Sequence, residues 1–125
     1  MSVSLTRIAG LLMMLGLTAP VFAATYIAPS GYFQIIGYKL QHGGPLELSV
    51  AGWVQALADC RGAEVLFDVL DRAGASVGTI RVRHGAFSRH DRWDLGSGEF
   101  TPKGLAAAEA IAAADHVEVR AAECR

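Results

Sequence analysis

The chain has 125 residues, with 11 Lys+Arg against 12 Asp+Glu and a formal net charge of −1. So even a balance carries no electrostatic footprint for nucleic acid or for a general membrane-surface binder. No internal repeat, low-complexity tail or linker divides it, and its length bounds it to a modest core.

The first elements predict an address rather than a fold. Met1 to Arg7 holds one positive side chain and no acidic one, and Ile8 to Ala19 is apolar. Pro20 then breaks any helix, and Val21-Phe22-Ala23 supplies the residues read at a signal-peptidase site. This three-part pattern predicts a signal peptide over residues 1–23, cleaved before Ala24. The apolar run falls short of the roughly 20 residues that span a bilayer, and nothing basic follows it to stop transfer. No stable membrane span is expected after cleavage. No cysteine follows the site to carry a lipid, and no twin arginine precedes it. Residues 24–125 are then one domain, net charge −2 since Arg7 is lost, in the periplasm or the medium.

Tyr32 to Leu40, aromatic and β-branched, predicts a strand. Gln41 to Pro45 (QHGGP) is turn chemistry. From Leu46 the chain alternates, with Leu48, Val50, Gly52 and Val54 on one face and Glu47, Ser49, Ala51, Trp53 and Gln55 on the other. Trp53 lies on the more polar face, where it covers a sheet edge, meets a partner or packs in a second core layer. Ala63 to Asp71 places Val65, Phe67 and Val69 on one side. Asp71-Arg72-Ala73-Gly74 is a hairpin loop, because Asp bonds the following backbone and Gly accepts positive φ. Ala75 to Arg83 returns as the partner strand.

His84 to Phe100 mixes turn residues, arginines, histidines and the aromatics Phe87, Trp93 and Phe100. In Thr101 to Asp115, Thr101 reads as a helix cap and Pro102 as the first helical position. Leu105, Ala108, Ile111 and Ala112 would form a weak apolar stripe. Gly104 opposes it, and an alanine-rich connection is the alternative. His116 to Cys124 predicts a final strand with Val117, Val119 and Ala121 inward. The whole reads as mainly β: an antiparallel immunoglobulin-like β-sandwich with one short alanine-rich helix near the C-terminus. Cys60 and Cys124, an even pair in an oxidising compartment, predict one disulfide closing a loop of about 65 residues.

The stretch Phe67-Asp68-Val69-Leu70-Asp71, followed by Gly74 and Val77-Gly78, resembles the FxLYD domain family, named for its Phe-x-Leu-Tyr-Asp strand end. Val69 stands for the Leu and Leu70 for the Tyr. Val50 to Val54 is similar to the family's Val-x-Gly-x-Val strand, and Leu95 to Phe100 to its Leu-x-x-Gly segment. The likeness spans about residues 50–100. It implies an extracytoplasmic, immunoglobulin-like sandwich without known catalytic residues, an interaction module rather than an enzyme.

The residues themselves give no constellation for catalysis. Ser97 lies between glycines but outside a Gly-x-Ser-x-Gly elbow. Phosphate-cradling glycine loops are absent. Asp68 with Asp71, and Asp91 with Asp94, read as strand and turn carboxylates. His84, His90 and Asp91 form the best candidate metal cluster, but a strong site needs a third partner such as His42 or His116. No cofactor is expected.

One segment stands out. Arg81, Arg83, Arg89 and Arg92, with His84 and His90, face Asp91 alone, beside Phe87 and Trp93. Arg81 and Arg83 read as the solvent face of a strand. Arg89, Arg92 and Trp93, with His84 and His90, are the candidate binding residues, since Arg and Trp are enriched at interface hot spots. The leading reading is an exported non-enzymatic binding module whose partner is an envelope protein or an anionic polymer. The alternatives are an enzyme inhibitor and a histidine-based metal carrier. A mobile, protruding 84–93 loop would favour inhibition; a flat sheet face carrying Trp53 would favour assembly.

Overall fold

The computed structural model describes residues 24–44, 47–96 and 98–125; residues 1–23, on which the expected signal peptide falls, and Pro45, Leu46 and Ser97 lie outside them. Eight strands and one helix occur among the described residues: β1 (Ala24–Ile27), β2 (Phe33–Gly44), β3 (Glu47–Ala56), β4 (Ala63–Leu70), β5 (Ser76–His84), β6 (Arg92–Asp94), β7 (Glu99–Pro102), α1 (Ala107–Ala113) and β8 (His116–Cys124). They form two four-stranded antiparallel sheets, in the orders β1-β2-β3-β6 and β7-β5-β4-β8. The fold is a β-sandwich.

Alternation decides which side chains meet between the sheets. Phe33, Ile35, Val50 and Val54 of the first sheet are buried against Val65, Phe67, Val69 and Ile80 of the second. Burying each contributes about 1.5–3 kcal/mol. β2 interrupts its own alternation: between Ile36 and Lys39 the register with β3 slips by one residue. The inserted residue turns Tyr38 inward, where its ring lies 5.7 Å from that of Phe67. Burial, then Glu118 and Tyr26 nearby, raise the Tyr38 hydroxyl above its usual pKa.

The β4–β5 hairpin forms as its residues dictate. Asp71 Oδ1 accepts from the Ala75 N–H at 2.8 Å, the Gly74 N–H donates to the Asp71 carbonyl at 2.9 Å, and Gly74 has φ +89°. Sulfurs of Cys60 and Cys124 lie 2.03 Å apart, at disulfide distance, with 5.9 Å between the Cα atoms. The bond ties β8 to the segment entering β4.

Four local expectations are corrected. β2 continues through Gly44 rather than yielding to a turn at Gln41, because His42 and Gly44 still find partners on β3. Thr101 and Pro102 close β7 and do not start a helix; α1 begins after Ala106, whose N–H donates to Glu109 Oε1 at 3.4 Å. Pro102 pairs with Gly78 at the edge of the sheet, where a missing N–H is tolerated. The helix buries Ala110 and Ile111 and leaves Leu105 exposed, so the predicted stripe shifts. Ala121 of β8 turns away from the core and Ala122 takes its place, since the register with β4 slips between Leu66 and Phe67.

Outside the second sheet, Glu64 forms ion pairs with three guanidinium groups, those of Arg81 and Arg125 at 2.8 Å and Arg83 at 3.3 Å, and accepts hydrogen bonds from Arg125 and Arg83. Arg120 reaches Asp68 at 3.5 Å. Arg81 and Arg83 therefore occupy a solvated, ion-paired face. The Arg125 hydrogen bond first, then Arg83 and the charges of Arg125 and Arg81, hold the Glu64 carboxyl below its ordinary value. A folded-state pKa below the unfolded one contributes stability above the unfolded value and loses it as pH falls through the folded value. Thermal unfolding of the wild type should accordingly lose stability on acidification below about pH 4.5. Glu64→Gln should flatten that slope; an unchanged slope would assign the acid sensitivity to other carboxylates.

Candidate functional site

The 84–94 segment is pinned along its length. Cys60 and Phe87 exchange backbone hydrogen bonds, each 2.9 Å. In the turn that follows, the Ser88 N–H donates to Asp91 Oδ2 at 2.8 Å and the Asp91 N–H to the Ser88 carbonyl at 3.0 Å. The Arg89 N–H donates to Asp59 Oδ1 at 2.8 Å, and the His90 N–H to the Ala56 carbonyl at 3.1 Å. His90 takes φ +78°, the left-handed region that a non-glycine residue enters at a cost. Ala56 N–H and the Gln55 amide close the turn on the Asp91 and His90 carbonyls at 2.8 and 3.1 Å. This is an anchored turn, not a protruding arm.

Strand alternation then divides the predicted site. On β6, Trp93 faces inward opposite Val54. Its ring stacks on His84 at 4.0 Å and 10°, with Phe87 6.1 Å away. It is half-buried, packed against the core, and its Nε1 is buried without a hydrogen-bond partner among the described residues. Arg92 points to the opposite side. Its guanidinium carbon lies 4.4 Å from the centre of the Trp53 ring, a cation–π contact. Arg89 and His90 are exposed on the turn. The structure thus joins Arg92 to Trp53, and Trp93 to His84.

The histidines stay apart. His42 Nε2 lies 3.1 Å from the Ile111 carbonyl, and His116 Nδ1 lies 3.0 Å from Asp115 Oδ2. Among the described residues, no group of three or more His, Cys, Asp or Glu comes together. Asp68 is paired with Arg120, Asp71 holds its turn and Asp91 caps its own.

A larger surface emerges on the outside of the first sheet. Cross-strand pairing aligns Ile27, Gln34, Gln55 and Arg92 in one row, and Thr25, Ile36, Trp53 and Asp94 in the next. Tyr32 and Leu57 extend the face, since the Leu57 N–H donates to the Tyr32 carbonyl at 2.8 Å and their neighbours Phe33 and Ala56 point into the core. Ile27, Tyr32, Trp53 and Leu57 are 61%, 40%, 40% and 38% exposed. They are four of the five exposed large apolar side chains among the described residues; Leu105 is the fifth. Both rims of the sandwich hold grooves, one along Glu47–Gly52 of β3 and one between Tyr26 and β8, but neither gathers convergent polar groups.

Sequence reading had marked Trp53 and Arg92 and missed Ile27, Tyr32 and Leu57. Ile27 precedes the strand predicted from Tyr32 to Leu40, so the alternation that would have shown its side was not visible. Comparison with family models, with curated proteins and with solved structures finds no match to this chain.

Proposed function

We propose that the protein is an exported, non-catalytic recognition module that binds another protein through the outer face of the first sheet, centred on Trp53 and Arg92. The observation that carries this reading is the clustering of Ile27, Tyr32, Trp53 and Leu57 on one face. The outside of the other sheet is covered by ion pairs instead. A half-solvated antiparallel sheet keeps its outer face polar, and a face carrying four exposed large apolar side chains around the Gln34–Gln55 pair departs from that rule where a partner covers it. Arg92 stacked on Trp53 supplies the two residue types that dominate interface hot spots.

The partner is better read as a protein than as an anionic polymer. Arg92 is balanced by Asp94 on the same strand and face, so the patch has no net positive field. The pinned turn argues against the inhibitor reading, which needs a protruding loop. Export is supported by the predicted leader and by a cysteine pair at disulfide distance, a bond that persists in oxidising compartments. The FxLYD resemblance around Phe67 to Gly78 points the same way.

The test starts from exported protein, whose first residue should be Ala24. Trp53→Ala with Arg92→Ala should cut capture of its partner from an extracytoplasmic extract by about tenfold or more, since each such anchor is worth about 2 kcal/mol. Melting should stay near wild type, because both side chains are exposed. If Arg89→Ala abolishes capture while the Trp53/Arg92 variant binds normally, the turn is the site and the face is not.

A further inference from the structure

We infer that the partner this face fits is a second copy of the chain, packed face to face about a two-fold axis; the inference rests on the face being a recognition surface. Its basis is the arrangement of charge within the patch. Arg92 and Asp94 are both exposed, two residues apart on β6, and point to the same side. Among the described residues neither enters an ion pair, whereas Arg81, Arg83, Arg120 and Arg125 on the other sheet all do. The recognition face therefore presents one cation and one anion side by side, neutral in sum but neither held in an ion pair among the described residues.

An isologous interface must be complementary to itself. A two-fold axis lying between two such faces, crossing the strands midway between the two rows, lays the first row of one copy over the second row of the other. Arg92 of each copy then meets Asp94 of the other, twice. The same operation sets Trp53 over Gln55, Ile36 over Gln34 and Ile27 over Thr25, so apolar groups meet small or amide side chains and no like charges meet. Sheets packed face to face lie about 10 Å apart and turn by about 30°, an offset that a long arginine side chain spans. Arg92 suits the role, since its ring-stacked guanidinium leaves the edge of the planar fork to hold a carboxylate. An anionic ligand would meet Asp94 beside Arg92, and a cationic one would meet Arg92 beside Asp94. A copy of the same face satisfies both.

Sedimentation equilibrium of the mature, disulfide-intact protein reads the result. Wild type should pass from monomer to dimer across the micromolar range, as expected for a modest interface. Arg92→Asp and Asp94→Arg should each weaken the dimer by about tenfold or more, because each sets like charges opposite one another. Combined, they restore both pairs with the signs exchanged, and dimerisation should return to within about threefold of wild type. Near-UV circular dichroism and a thiol count establish that each variant is folded. Should a charge reversal disturb folding, Ile27→Asp, at the most exposed apolar position of the face, supplies another variant expected to be monomeric.

A wild type that remains monomeric up to about 1 mM overturns the inference. So does a double variant no better than either single one, since the two side chains then do not meet. If the wild type is monomeric yet the Trp53/Arg92 variant still loses partner capture, the recognition reading stands and only self-association falls. A dimer unaffected by Trp53→Ala with Arg92→Ala would place the contact elsewhere and remove both.

Discussion

Cys124→Ser is expected to lower stability by about 4 kcal/mol, a fall of roughly 20 °C in melting temperature for a domain of this size. Cys60 and Cys124 are 64 residues apart in sequence, so reducing or removing the bond frees a long loop in the unfolded chain. The bond also reinforces a particular place. Cys124 pairs with Ala63 at the end of β8, an edge strand of the second sheet. Without the sulfur link, that corner keeps the backbone hydrogen bonds from Arg125 N–H to the Gly62 carbonyl at 2.7 Å and from Arg61 N–H to the Arg125 carbonyl at 3.2 Å, with the solvated Arg125–Glu64 ion pair beside them. The Cys60–Phe87 bridge starts from the same segment, so loosening should spread to the pinned turn. Calorimetry of the oxidised wild type against Cys124→Ser measures the loss, and a difference below about 1 kcal/mol would show that β8 holds without the bond.

Gly52→Ala should be the next most damaging change, at about 3 kcal/mol. Gly52 has φ +133°, a conformation that side-chain-bearing residues rarely adopt. A methyl group there would sit 2.9 Å from the Tyr38 Cα and 3.0 Å from the Ile36 carbonyl oxygen, both backbone atoms of the neighbouring strand that cannot swing aside. The site lies opposite the slipped residue of β2, so relief requires the bulge itself to move. Tyr38 would then lose its place against Phe67, and Trp53, the next residue along β3, would shift on the outer face. The variant should therefore weaken recognition as well as stability, unlike Cys124→Ser, whose damage centres on the second sheet. Unfolding in urea combined with partner capture tests both halves. A variant within about 0.5 kcal/mol of wild type would mean that β3 adjusts at no cost.

Much of the fold was legible because its signals are local. The alternation of Leu48, Val50 and Val54, the Asp71–Gly74 loop, and Val65, Phe67 and Val69 each depend on neighbours a few residues away. The departures share a different origin. Tyr38 and Ala122 face inward only because bulges insert a residue, and a bulge is fixed by the partner strand. Thr101-Pro102 carries a sound helix-start pattern, yet pairing of β7 with β5 claims those residues first. The candidate site divided for the same reason. Arg92 and Trp93 are adjacent in sequence, so composition grouped them, but a strand sends adjacent side chains to opposite faces. Whether 92–94 was strand or loop depended on its pairing with β3, forty residues earlier.

The second sheet has a consequence for the order in which the molecule can be made. β4 is central in it, flanked by β5 from the adjacent hairpin and by β8, whose residues pair with β4 across more than forty intervening positions. A chain emerging from its N-terminal end can close the β4–β5 hairpin at once, but one border of β4 stays bare until β8 arrives. Contacts this distant in sequence slow folding, and a bare strand border is a template for the wrong neighbour. Completion of this sheet is thus a late event in biogenesis, and the interval before it is when the protein most needs protection from aggregation.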